Sequence, residues 1–233
     1  MKKTLLCASL IGLRIATANA ADVIWQTPTT ISGPSDVNTS GVYFGSWAPY
    51  NQAAVDQNGL TVNGVTFQAF SDLPSLSTTG VNSGYNAYAN PNTSDANYNS
   101  LMQTAGYNGN GGGGITISWS GMTPGDTYLL QFWANDGRGN GRSETLTGGA
   151  NTSASLVFGN FPGQFIIGTF VADNTGSETI DLSGAGSVNG DYPQINLLQV
   201  RDLTAVPEPS VLGLFGASAG TALYGFRRKY RAA

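Results

Sequence analysis

The chain of 233 residues carries 32 Gly, 10 Lys+Arg, 14 Asp+Glu, one Cys and no His, for a formal charge of -4. Without His there is no Ser-His-Asp triad, no imidazole base near neutral pH and no His-ligated zinc or iron; the lone Cys7 forms neither an internal disulfide nor a Cys-His nucleophile pair. Charged residues are 10% of the chain against a usual share of about a quarter, and an acidic balance excludes nucleic acid as a partner, because phosphate binding needs clustered Lys and Arg.

Residues 1–20 begin with Lys2 and Lys3, continue as an apolar stretch from Leu5 to Ala18 and end in Ala18-Asn19-Ala20. This is the layout of a secretory signal peptide, with Ala18 and Ala20 at the cleavage-site positions and cleavage expected after Ala20. Arg14 interrupts the apolar run, and Cys7 comes too early to mark a lipoprotein. Export by Sec-type machinery then leaves a chain without cysteine, which no disulfide can staple.

From residue 22 to 204 there are three basic residues, Arg138, Arg142 and Arg201, against thirteen acids, a net charge of -10. Period-2 stretches rich in β-branched and aromatic residues predict about eleven short strands. The first six are Val23 to Gln26, Val42 to Phe44, Leu60 to Val62, Val65 to Phe70, Ile115 to Trp119 and Thr127 to Ala134. Ser143 to Thr147, Ala154 to Phe158, Gln164 to Ala172, Ser177 to Leu182 and Gln194 to Arg201 follow. Asn63-Gly64 suits a type I′ hairpin, where both central residues need positive φ, and Thr123-Pro124-Gly125-Asp126 suits a type II turn. So many short strands joined by tight turns predict a β-sandwich of jelly-roll kind.

One segment departs from that pattern. Ser94 can cap a helix over residues 95–105, with Tyr98, Leu101, Met102 and Ala105 on one face, laid over one end of the sandwich. Gly106 to Gly114 then reads as a flexible loop, and it is not a phosphate loop, since no Gly-Lys-Ser/Thr follows.

The most informative polar segment runs from Asn135 to Glu144, between two predicted strands, and holds two of the body's three arginines. Three readings fit it. As a sugar site, Asp136 accepts from vicinal hydroxyls, Arg138 or Arg142 donates, and Trp133 offers a ring face nearby. As a calcium site, Asn135, Asp136 and Asn140 supply hard oxygen ligands, without the spacing of a dedicated calcium loop. As a hairpin tip, the Asp-Arg pairs only order the turn. Trp119 shares a face with Ile115 and Ile117, and Tyr128 with Leu130 and Phe132, so both belong to the core; Trp133 falls on the opposite face with Gln131 and Asn135 and is expected to be exposed. Tyr85, Tyr88 and Tyr107 lie in Asn- and Gly-rich segments, as recognition loops or as loop packing. Carboxylate-only glycosidase chemistry would need a pair such as Asp136 with Glu144, or either with Asp173 or Asp191. Thirteen acids on an exported body read more simply as solvated surface, and a non-enzyme is expected.

The C-terminus reads Pro207-Glu208-Pro209, then apolar and small residues from Val211 to Phe226, then Arg227, Arg228, Lys229 and Arg231. A helix of sixteen residues spans about 24 Å against a hydrocarbon core of about 30 Å, a short span whose basic flank would stay in the cytoplasm. Residues 206–231 resemble the PEP-CTERM sorting signal of Gram-negative bacteria. The resemblance implies recognition by an exosortase-type membrane protease, processing near Pro207-Glu208-Pro209, transient anchoring in the inner membrane and release to the cell surface or an exopolysaccharide matrix. In the body, the order is a helix with Leu101 and Met102, Ile115 to Trp119, a Thr-Pro-Gly-Asp turn, Tyr128 to Trp133, Asp136 to Arg142, and strands at 163–173 and 194–201. That order is similar to the jelly-roll bodies found ahead of PEP-CTERM signals, and distantly to galactose-binding and malectin-type carbohydrate modules. The expectation is a signal peptide at 1–20, an all-β body at 21–205 and a sorting signal at 206–231. The body would bind extracellular polysaccharide without catalysis; a structural envelope protein without a ligand site is the alternative, and a glycan hydrolase or lyase a third.

Overall fold

The computed structural model describes residues 20–48, 59–69, 75–109, 113–185 and 192–205. The expected leader up to Asn19, the sorting motif, the apolar segment and the basic tail lie outside the described residues. Among the described residues no helix is long and apolar enough to cross a membrane.

In chain order the elements are β1 (Ile24–Trp25), β2 (Thr29–Thr30), β3 (Val42–Trp47), β4 (Leu60–Val62), β5 (Val65–Phe67), β6 (Leu76–Thr79) and β7 (Ser83–Tyr85). The one α-helix among the described residues, α1 (Ala96–Met102), precedes β8 (Ala105–Tyr107), β9 (Ile115–Ser120), β10 (Thr127–Ala134), β11 (Ser143–Gly148) and β12 (Asn151–Thr152). The last five are β13 (Leu156–Val157), β14 (Gln164–Val171), β15 (Ser177–Gly184), β16 (Gln194–Ile195) and β17 (Leu197–Asp202).

They form an all-β sandwich of jelly-roll type. One sheet runs β1-β14-β10-β17-β3, with β2 also on β14, and the other runs β12-β11-β15-β9-β6, with β13 on β11. The long central pairs are antiparallel and in continuous register: Thr127 faces Val171 and Ala134 faces Gln164, while in the second sheet Ser120 faces Ser177 and Ile115 faces Leu182. Between the sheets, Tyr128, Leu130 and Phe132 of β10 pack with Ile115, Ile117 and Trp119 of β9 and with Ile180 and Leu182 of β15. Each such side chain, fully buried, stabilises by about 1.5–3 kcal/mol, and with no disulfide this packing has to hold the sandwich.

The turns follow their local sterics. Asn63 and Gly64 have φ of 48° and 78°, the positive pair of a type I′ hairpin joining β4 to β5. Gly125 has φ of 86°, and Asp126 N–H donates to the Thr123 carbonyl at 3.2 Å, closing the type II turn.

The outer face of the first sheet is covered. The β4-β5 hairpin, α1 and the chain around Ile31 and Val37 bury a second cluster in which Val65, Phe67, Tyr98, Leu101 and Met102 pack on Trp133 and Leu197. Tyr98, Leu101 and Met102 thus point inward as expected, but the cap is Asp95 rather than Ser94: the Asp95 carboxylate accepts Tyr98 N–H at 2.9 Å. The helix is also shorter than expected, because Ala105 already belongs to β8. Gly106, expected in a loop, pairs with Gly84 on one side and Ile195 on the other, in a small sheet of order β16-β8-β7. The expected final strand is broken at Asn196, whose N–H donates to the Trp133 carbonyl at 3.0 Å.

Candidate functional site

The segment from Asn135 to Arg142 joins β10 of one sheet to β11 of the other, so it is a crossing between sheets and not a hairpin tip. Gly137, Gly139 and Gly141 all have φ near +70° (68°, 69° and 67°), a left-handed value that L side chains adopt only with strain. These three positions coil the loop so that residues two and six places after Asp136 return to it.

Asp136 is the centre of the coil and has no exposed surface. Its carboxylate accepts from Arg138 Nε, from Arg138 Nη2 at 2.9 Å, from Asn140 Nδ2 at 2.9 Å and from Arg142 Nη1 at 3.0 Å. Burial pushes its pKa up, but the bonds from Arg138 and Asn140 and the two guanidinium charges outweigh burial and hold the carboxyl below its usual range. The arginines differ: the Arg138 side chain is 48% exposed and that of Arg142 only 8%. Arg142 also donates through Nη2 to the Tyr192 carbonyl.

Aromatic rings surround this ion cluster. The Arg138 guanidinium carbon lies 5.3 Å from the centre of the Tyr85 ring and 5.1 Å from that of Tyr88; that of Arg142 lies 5.0 Å from Phe158 and 5.9 Å from Tyr192. The β16-β8-β7 sheet brings Tyr107 to the same end, where its ring centre is 6.4 Å from that of Tyr192. The result is a cleft of about 430 Å³ walled by Tyr85, Tyr88, Tyr107 and Tyr192 and floored by Arg138, Asn140 and Arg142. Burial pushes the Tyr88 hydroxyl up to about 12, so it stays a protonated donor at any ordinary pH. Such a cleft can present apolar ring faces together with phenol and guanidinium donors.

Asp136, Arg138 and Arg142 therefore converge, and Tyr85, Tyr88 and Tyr107 join them. Trp133 does not. It is fully buried, with its ring 5.9 Å from Phe67 and 6.2 Å from Phe165, because the face expected to meet solvent is the one under α1 and the β4-β5 hairpin. Asn135 is also fully buried; its Nδ2 donates to the carbonyls of Ala89 and Met102, and its Oδ1 accepts Gly163 N–H at 3.1 Å, so it is not a cation ligand. With Asn135 spent on backbone and the Asp136 oxygens on guanidinium, the Asn135, Asp136 and Asn140 set does not form a calcium cage, and among the described residues no group of three acidic, His or Cys side chains is placed to hold a metal. Glu144 is sealed inside, pushed up to about 8 by burial, with one oxygen accepting Gln194 N–H at 2.8 Å. Asp173 caps its own turn by accepting from Thr175, and Asp191 lies outside the described residues.

Tyr192 and Phe158 were not singled out from the sequence. Tyr192 stands directly before Pro193 and the final strands, and an aromatic at that junction is a usable signal; its meeting with Tyr107 depends on the pairing of β16 with β8.

No protein-family model matches the chain, and no curated protein matches it either. Among solved structures, the ANX2 ectodomain from Arabidopsis thaliana is similar at 13% identity and a TM-score of 0.47, over 63% of this chain and 48% of that one. The ANX1 ectodomain from Arabidopsis thaliana is similar at 14% identity and a TM-score of 0.44, over 82% of this chain and 52% of that one. The chain thus matches about half the length of those structures.

Proposed function

We propose that the body is a non-catalytic module that binds an extracellular polysaccharide in the tyrosine-walled cleft. The protein that carries it is exported by Sec-type machinery, anchored for a time in the inner membrane and sorted by an exosortase-type protease to the cell surface or matrix. The observation that carries the binding reading is the cleft itself: four tyrosines around two guanidinium groups that a buried Asp136 holds in place. Tyrosine suits this work, since it offers a large rigid ring with a polar tip at low entropic cost, and sugars present both C–H faces and hydroxyls. Two arginines against one carboxylate leave the cleft positive within a body of net charge -10, so an acidic sugar is preferred to a neutral one of equal size. Binding is favoured over hydrolysis because Asp136 is committed to two arginines and Glu144 is sealed from the cleft's solvent.

Calorimetric titration of neutral and uronic-acid oligosaccharides, with and without calcium, tests the reading. Acidic chains should bind, Tyr85→Ala should weaken them at least roughly tenfold, and chelation should change little. Retention of no glycan sinks the binding claim, and release of shortened product identifies an enzyme instead. For the sorting step, Pro207→Ala with Glu208→Ala should leave the protein held in the membrane.

A structural role through self-association has its own support. Ile24 and Val171 are exposed together beside Thr169 on the outer part of the first sheet. Concentration-dependent oligomers that an Ile24→Lys change abolishes, in a protein that binds no glycan, would favour that role.

A further inference from the structure

Glu178 stands on β15 in the same inward row as Ile180 and Leu182 and is 1% exposed. A carboxylate in such a row needs a partner. Its Oε2 accepts the backbone N–H of Ala21 at 2.9 Å, while its Oε1 is buried with no hydrogen-bond partner. Burial pushes the carboxyl up to about 7, the N–H groups of Ala21 and Thr179 oppose that rise, and the charges of Asp173 and Asp22 add to it. Among the described residues no side-chain cation answers this carboxylate. The basic residues between 22 and 204 are Arg138, Arg142 and Arg201; the first two are paired with Asp136, and Arg201 donates to the carbonyls of Thr39, Ser40 and Gly41.

Ala21 is also the residue that follows the expected cleavage site, and the chain just after it is fixed from several sides. The Asp22 carboxylate accepts Ala150 N–H at 2.6 Å, Val23 N–H donates to the Gly148 carbonyl at 3.3 Å, and Asn151 Nδ2 donates to the Val23 carbonyl at 3.1 Å. Ala21 itself packs against the core between the sheets.

We propose that cleavage after Ala20 converts the Ala21 N–H into an α-ammonium that pairs with Glu178, so that removing the leader supplies the counter-charge this core carboxylate lacks. Water hydrolyses the Ala20–Ala21 peptide bond, the carboxylate leaves with Ala20, and the amine on Ala21 takes up a proton. One neutral donor is replaced by a cation with three N–H groups, enough to reach both Oε2 and the unpartnered Oε1. The chain therefore gains stability on processing, and the mature N-terminus latches β1 beside the opposite sheet's β15. The signs are consistent at neutral pH. Pairing lowers the Glu178 pKa and raises that of the ammonium from its ordinary value of about 8, so the pair is present between the two and is lost as pH rises through the raised ammonium value. The inference rests on the cleavage reading and is independent of glycan binding.

The test compares two forms of the chain ending at Ala233, one released with a free amine on Ala21 and one retaining Asn19-Ala20 in front of it, each with Glu178 and with Glu178→Gln. The free-amine form should melt higher by roughly 5 °C, and Glu178→Gln should erase the difference. In the parent, an amine-acylating reagent at neutral pH should modify Ala21 at least roughly tenfold more slowly in the native protein than in urea. Equal melting of the two forms, or equal acylation in native and unfolded protein, overturns the latch; where Glu178→Gln does not fold, the acylation ratio of the parent decides alone. Mass spectrometry of the exported protein should find Ala21 first, and a different mature terminus overturns the latch in the cell even if the engineered forms differ.

Discussion

The two faces of β10 are both buried, yet they are held by different forces. On the inner face Tyr128, Leu130 and Phe132 meet the opposite sheet in an apolar layer. On the outer face Gln131 and Asn135 flank Trp133, and neighbouring Asn196 and Gln199 are equally buried. There the amides are engaged one by one. Gln131 Oε1 accepts from Asn38 N–H at 2.9 Å and from Gln199 Nε2 at 2.7 Å, and its Nε2 donates to the Asp36 carbonyl at 2.6 Å. Asn196 Nδ2 donates to the carbonyls of Met102 and Thr104, and Asn135 Nδ2 to those of Ala89 and Met102. An apolar layer rewards volume and tolerates small shifts, whereas a buried amide fixes named backbone atoms and is expensive to leave unpaired. The outer face is accordingly the one that positions the cleft. Asn135 precedes Asp136, Ala89 follows Tyr88, and Ala89 N–H donates to the Asp136 carbonyl at 3.1 Å, which ties the tyrosine segment to the ion cluster.

The largest effect should come from the inner face. Phe132→Ala removes a fully buried ring from the apolar layer and is expected to destabilise by about 3–5 kcal/mol in a denaturant melt, while the protein that remains folded keeps its glycan affinity. The outer face should respond differently. Asn135→Ala leaves the Ala89 carbonyl and Gly163 N–H without their partner, at about 1–3 kcal/mol for each group that water cannot reach, and leaves the Met102 carbonyl with the Asn196 amide alone. Its affinity loss should exceed what the fraction unfolded explains. Equal affinity in the two variants would break the contrast.

How far this contrast could be read in the sequence depends on the range of the interactions. The Asn63-Gly64 and Pro124-Gly125 turns were legible because the steric demand is local, and the inner row of β10 because one strand carries its own period. The Asp136, Arg138 and Arg142 cluster was legible as a group for the same reason: its members lie within one short loop. Trp133 was misread because alternation reports which residues share a face and not whether a third layer covers it. That layer was hinted at by the apolar face of the 95–105 segment, which had to be buried against something. The short β6, β7 and β8 strands, rich in Ser, Thr and Gly, were missed because pairing across the sheet, rather than propensity, makes them strands.

pH should separate the faces next, since amides do not titrate. The inner row of β11 carries Glu144, which burial pushes up to about 8 from an ordinary 4.5. A folded value above the unfolded one means that this contribution to stability is complete below pH 4.5 and is lost as pH rises toward 8. The slope is at most about 1.4 kcal/mol per pH unit, and Glu144→Gln should flatten it in melts taken between pH 5 and 9. Asp136 has the opposite sign: its lowered pKa contributes stability above the ordinary carboxylate value, and acid removes that contribution. A stability curve insensitive to both Glu144→Gln and acid would mean that neither carboxyl is held as described.

Arg138 should show the smallest effect on folding and the sharpest on binding. Its side chain is 48% exposed, so its bonds to Asp136 are screened by solvent and are expected to add only about 0.2–1 kcal/mol. Arg142, 8% exposed, and Asn140 keep the carboxylate partnered when Arg138 is gone, so Arg138→Gln should fold with a nearly unchanged melting temperature. The variant does remove the cation that lies over Tyr85 and Tyr88, and with it the excess positive charge of the cleft. Acidic oligosaccharides should therefore lose affinity while neutral ones of the same length keep whatever they had, and the preference should shrink further as salt is raised. A parallel loss for both kinds of sugar would assign Arg138 to shaping the tyrosine wall instead of reading charge. An unchanged affinity for both would remove it from the site and leave the outer face's amides, through Asn135 and Ala89, as what sets the cleft's geometry.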